Sequence, residues 1–141
     1  MPDCRLVRGA GSRVAFRTVT ESIPDLLAEH RDTVVRWGEE SERVSERGAV
    51  RRANELFDRT HAQFKVLRET EEGRAGITAL MRDPNPYVAS TAAAHSLLWE
   101  PEMATAVLEA LEASENVPGQ VQMSAKYTLK EWRAGRLSFD Y

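Results

Sequence analysis

Thirteen consecutive residues without a fully charged side chain, Tyr87 to Trp99, constrain this chain more than any other stretch. They read Tyr-Val-Ala-Ser-Thr-Ala-Ala-Ala-His-Ser-Leu-Leu-Trp, and a helix apolar nearly all round belongs inside a fold. Ala92, Ala93 and Ala94 also let neighbouring helices approach closely. The start of this helix is written just upstream, in Asp83-Pro84-Asn85-Pro86. Each proline steers its predecessor away from the right-handed helical region, Asn85 is a good N-cap, and Pro86 suits the first helical position. Before the turn, Ile77, Leu80 and Met81 recur at i, i+3 and i+4, one side of a helix ending near Arg82. Gly73 to Trp99 is therefore predicted as a helical hairpin at the centre of the molecule.

The pattern returns downstream. Val88, Ala92 and Trp99 are matched thirty-three positions later by Val121, Ala125 and Trp132, while Ile77 and Leu80 are matched by Leu108 and Leu111. Two helices per unit at such a period are the sequence sign of an α-solenoid, in which each unit buries its apolar side only against its neighbours. Two units alone rarely suffice, so the N-terminal helices are expected to form a third layer.

With these residues in hand a resemblance can be stated. Asp83, Pro84, Val88, Ala92, Ala93 and Leu97 resemble a HEAT-type repeat, although Ala89 stands where the repeat usually has arginine. As a set, Asn54-Glu-Leu-Phe-Asp, Arg68-Glu-Thr-Glu-Glu-Gly-Arg, Asn85-Pro-Tyr-Val, Ala93-Ala-His-Ser-Leu and Thr128-Leu-Lys-Glu-Trp-Arg-Ala-Gly resemble a bacterial family filed as domain of unknown function number two thousand and nineteen. The likeness runs from about Ser22 to Leu137. It implies a compact HEAT-like domain with no established catalytic residues, in a family associated with toxin-immunity gene neighbourhoods. The fold class expected is all-α, a right-handed α-α superhelix of about six helices in three antiparallel layers.

Residues 1–20 carry Arg5, Arg8, Arg13 and Arg17 against Asp3 alone and read as a flexible basic arm, or as an over-long start with translation beginning near Val14 or Val19. Residues 21–141 read as the single helical domain. Ser22-Ile-Pro-Asp25 is a capping-box-like opening. The first helix carries Ile23, Leu26, Leu27, His30, Val34, Trp37 and Val44 on one stripe, is bent at Gly38, and ends at Arg47-Gly48. The second, from about Ala49 to Arg68, is expected to bury Val50, Ala53, Phe57, Phe64 and Leu67, with Asn54, Asp58, His61 and Lys65 alongside. Thr70 caps the third helix. Glu100-Pro101-Glu102 opens the fifth, with Met103, Ala104, Val107, Leu108 and Leu111 expected inward, and the sixth carries Val121, Ala125, Leu129 and Trp132 on one side and ends at Gly135. Phe139 and Tyr141 are expected to fold back over the last layer.

Composition narrows the function. A formal charge of -3 argues against a dedicated nucleic-acid binder, which normally shows a basic excess. Cys4 is the only cysteine, so the chain can form neither an internal disulfide nor a cysteine zinc site, which fits a cytoplasmic location. No apolar run reaches eighteen residues, so no membrane span is expected. Phosphate-loop, nucleophile-elbow, zincin and kinase motifs are absent, and no cofactor is implied. Asp58 and His61, at i and i+3, have the spacing to share a proton or a metal. A helix-surface network is the plainer reading, because a stable metal site needs three or four ligands. His30 and His95 lie in apolar stretches and read as core histidines, while Trp99 and Trp132 close their hairpins and read as packing.

A non-enzymatic module that binds another protein is the leading expectation, with an immunity protein masking a toxin encoded nearby as its concrete form. The second helices of the units would line one surface, made of Asn54, Asp58, His61, Tyr87, Ser90, Met123, Tyr127 and Lys130. Two alternatives stand beside it. One is a nucleic-acid-binding helical repeat that grips a phosphate backbone with Arg and Lys; the other is a small hydrolase built on Asp58 and His61. The basic run Arg43, Arg47, Arg51 and Arg52 is opposed by the acidic stretch from Glu100 to Glu115, and such patches steer association.

Overall fold

The computed structural model describes residues 22–141, so the basic arm expected over 1–20 lies outside it. Six α-helices make up the described chain: α1 (Ile23–Ser41), α2 (Ala49–Leu67), α3 (Glu71–Ala79), α4 (Pro86–Ser96), α5 (Pro101–Ala113) and α6 (Gly119–Arg133). A 3-10 turn, Leu80–Arg82, extends α3, and no strand occurs among the described residues. The fold is all-α.

The helix starts follow the caps written in the sequence. Ser22 Oγ accepts from the Asp25 amide at 3.2 Å, and Thr70 Oγ1 accepts from the Gly73 amide at 2.9 Å. Asn85 Oδ1 takes two amides, those of Tyr87 (2.9 Å) and Val88 (3.2 Å). Each cap satisfies donors that would otherwise have no partner in the first turn. The Asp83 carboxylate clamps the same turn, bonding the Asn85 amide and holding Arg31 of α1 through both Nε (2.6 Å) and Nη2 (3.0 Å).

Short connections fold the helices into hairpins α1/α2, α3/α4 and α5/α6, a stack consistent with the HEAT-like expectation. Helix α4 is the middle of it and touches α1, α3, α5 and α6. Eight of its 11 residues are buried, as its lack of charge requires. The repeat reads out directly in packing. Val88 and Val121 are both buried in one cluster, Ala92 and Ala125 in another, and Ile77 and Leu108 are fully enclosed with them. Trp99 and Trp132 both lie against that second cluster, and Trp99 donates to Thr78 Oγ1 at 2.8 Å.

Several details differ from the sequence expectation. Helix α1 stops at Ser41, which leaves Val44 in the following turn 58% exposed, and Met103 of α5, expected inward, is 40% exposed. Gly38 serves packing: a Cβ there would fall 2.5 Å from Tyr87 Cδ2. Gly48 then reverses the chain with φ of 79°. Helix α2 is rotated from the expected face, burying Leu56, Thr60 and Gln63 while Val50 and Phe57 stay exposed. Its polar stripe bonds α1: Gln63 Oε1 accepts from His30 Nδ1 (3.0 Å) and Gln63 Nε2 donates to Thr33 Oγ1 (3.0 Å). The C-terminal tail does not close over the last hairpin; it crosses to α2, where Phe139 meets Phe64 and Tyr141 meets His61.

These contacts give opposite expectations for two glycines. Gly38→Ala pushes against the Tyr87 ring and should cost about 1–3 kcal/mol, the usual range for overpacking. Gly119→Ala meets nothing within 4 Å and should leave stability unchanged or raise it by about 0.4–1 kcal/mol. Urea unfolding of both variants checks the pair.

Candidate functional site: a charge-free cavity between α2, α4 and α6

Helix α2 packs broadly on α1 and stands off α4, so the two are bridged by side chains. Phe64 is the bridge. Its ring stacks on His95 of α4 at 3.8 Å between centroids and 15° between planes, and Phe139 of the tail closes edge-on against both rings. Arg68 covers Phe64 from outside, 5.3 Å from its centroid, and holds Asp140 of the tail at 3.1 Å.

The space left over is a half-open cavity of about 500 Å³, with α2 as one wall, α4 as floor, α6 as the other wall and the tail across one end. Its aromatic surface comes from Trp37, Phe57, Tyr87, Tyr127 and the two tail rings. Trp37 and Tyr87 meet at right angles, 5.7 Å apart, over the Gly38 notch. Hydroxyl groups from Thr60, Ser90, Thr91, Ser124 and Thr128 are interspersed. No Asp, Glu, Lys or Arg lines it.

Of the eight residues expected on this surface, His61, Tyr87, Ser90, Met123 and Tyr127 line the cavity. Asn54, Asp58 and Lys130 do not; they are exposed on α2 and α6 outside the lining. The geometry gives Asp58 and His61 no shared proton. His61 Nε2 bonds the Tyr141 carbonyl oxygen at 2.8 Å, its ring stacks on Tyr141 at 4.1 Å, and Lys65 Nζ donates to the same oxygen. Among the described residues no three His, Cys, Asp or Glu side chains gather where a metal ion would fit. The basic run is partly spent within the fold, since Glu40 pairs with Arg52 (2.9 Å) and Arg43 (3.8 Å). Among the described residues no helix is long and apolar enough to cross a membrane.

The sequence did not single out Thr60, Thr91, Gln120, Ser124 or Thr128 as lining residues. Thr91, Ser124 and Thr128 follow the helical spacing of Tyr87, Ser90, Met123 and Tyr127 and were open to inference once α4 and α6 were paired. Thr60 was not, because the rotation of α2 that brings it inward is set by contacts with α1.

Burial decides the charge of the two core histidines. His95 is held well below its ordinary value of 6.5, first by burial and then by the nearby His30, and His30 is lowered by burial despite its bond to Gln63. Tyr87 is raised above its ordinary 10, by burial first and then by its hydrogen bond to Glu42 Oε2 at 2.8 Å.

Compared with known proteins, the chain matches no family model, no curated protein and no solved structure at a significant level.

The neutral histidines carry a pH consequence. Below about pH 6.5 the unfolded chain takes up protons that the folded chain refuses, so stability falls as pH falls. The slope approaches at most about 1.4 kcal/mol per pH unit for each histidine. His95→Phe keeps the stacked ring without the titrating nitrogen and should flatten the decline between pH 7.5 and 5. Denaturant midpoints across that range for both proteins check it.

Proposed function

We propose that the face formed by α2, α4 and α6 binds another protein, and that the chain is a non-enzymatic interaction module. One observation carries this reading. Four large side chains at the mouth of the cavity stay exposed: Phe57 (42%), Met123 (58%), Tyr127 (52%) and Tyr141 (61%). Clustered aromatic and Met side chains around a concavity are characteristic of protein-binding surfaces rather than of inert ones. Charged residues outside the lining, Asp58, Lys65 and Lys130 among them, supply the polar rim such a surface needs to orient its partner. The resemblance to the bacterial HEAT-like family supports an immunity protein that masks a cognate toxin, with a cytoplasmic site of action.

The test pairs this protein with the product of the adjacent gene. Saturating protein should abolish that product's toxic activity, and unaltered activity would reject the immunity role. Met123→Lys together with Tyr127→Lys places two charges on the apolar rim without touching the core. The double variant should weaken the complex at least tenfold, about 1.4 kcal/mol, in a calorimetric titration.

A further inference from the structure

Two buried polar atoms, Thr60 Oγ1 and His95 Nδ1, have no hydrogen-bond partner among the described residues, and both residues line the cavity. Their side chains are well enclosed, since Thr60 is 7% exposed and His95 5%. A buried polar group without a bond has given up its hydration for nothing, and most such groups in folded proteins are satisfied. Packing does not account for them. Val would fill the place of Thr60, and Phe would stack on Phe64 as His95 does.

Three further observations define what would complete them. The cavity, about 500 Å³, lies within the range of roughly 300–1,000 Å³ typical of small-molecule sites. Its lining contains no Asp, Glu, Lys or Arg, although 22 acidic and 19 basic side chains occur in the sequence. A carboxylate or phosphate placed inside would lose its hydration and meet no Lys or Arg among the lining residues. The walls are flat rings, which favour stacked or edge-on contact with another ring.

We propose that this cavity binds a small, uncharged, planar aromatic molecule bearing a hydroxyl or ring N–H, whose polar edge bonds Thr60 and His95 while its ring lies against the aromatic wall. Both residues line the cavity, so the two unpartnered atoms belong to side chains that border the ligand. His95 is suited to this role because it is neutral and able to accept from a ligand O–H or N–H. The site sits below the exposed rim, and its occupancy requires no protein partner.

The probes are 2-naphthol, which is uncharged at neutral pH, and naphthalene-2-sulfonate, which has the same rings and a fixed negative charge. Each is titrated into the full chain and followed by calorimetry and by the ring nitrogen resonances of His95. Saturable one-to-one binding of 2-naphthol is expected, with a shift at His95 and with the sulfonate at least tenfold weaker. Thr60→Val and His95→Phe, which keep volume and stacking, should each weaken 2-naphthol about fivefold or more, the equivalent of one hydrogen bond. Thr128→Trp fills the cavity from the α6 side and should abolish binding. Equal affinity for the two naphthalenes, an unmoved His95 resonance, or affinity unchanged in both Thr60→Val and His95→Phe would overturn the assignment, as would no saturable binding to the folded wild-type chain. These outcomes are independent of whether the rim binds a protein.

Discussion

The burial of α4 is the constraint from which the rest of this structure follows. A helix without charged side chains has no side to offer to water, so the chain must cover it on several sides at once. Helices α1, α3, α5 and α6 do this, and the alanines Ala92 and Ala93 let them come close. The Asn85 cap and the Arg31–Asp83 clamp fix where α4 begins and which way α1 crosses it. With that start fixed, Tyr87 falls opposite Gly38, whose lack of a Cβ makes room for its ring.

Covering α4 unequally is what creates the cavity. Helix α2 binds α1 through the apolar side of the hairpin and the Gln63 network, and that commitment keeps its backbone away from α4. Phe64 spans the separation near one end, stacked on His95, and the tail seals that end with Phe139. Toward the other end the gap stays open between Phe57 and Tyr127. The outcome is a concave face with an aromatic and hydroxyl-bearing interior and an exposed apolar mouth. The same separation leaves Thr60 and His95 close enough to line the space but unable to bond each other.

Charge is arranged so that it stays out of this space. Arg68, Lys65 and Asp140 hold the tail from the solvent side, and Glu40 and Glu42 tie down Arg52 and Tyr87 near the turn after α1. Burial removes the proton from His95, so the one basic group at the floor is neutral too. The cavity therefore selects against anions by desolvation: uncharged groups enter at little cost, whereas an anion would give up its hydration without finding a Lys or Arg.

What the sequence determined alone is local or periodic. Prolines and caps fixed the start of α4, Ser22 and Thr70 those of α1 and α3, and the matched pairs Val88/Val121, Ala92/Ala125 and Ile77/Leu108 announced two equivalent hairpins before any coordinates. Such signals depend on residues within a turn or two of each other. The rotation of α2, the path of the tail and the end of α1 were decided only by the tertiary structure. On α2, Val50 and Phe57 on one side competed with Leu56, Thr60 and Gln63 on the other, and partners on α1, far away in sequence, chose between them. Tyr141 found His61 for the same reason: the alternation Leu137-Ser-Phe-Asp-Tyr141 gives the tail an apolar side but does not say which surface it covers, and that surface exists only once the helices have packed.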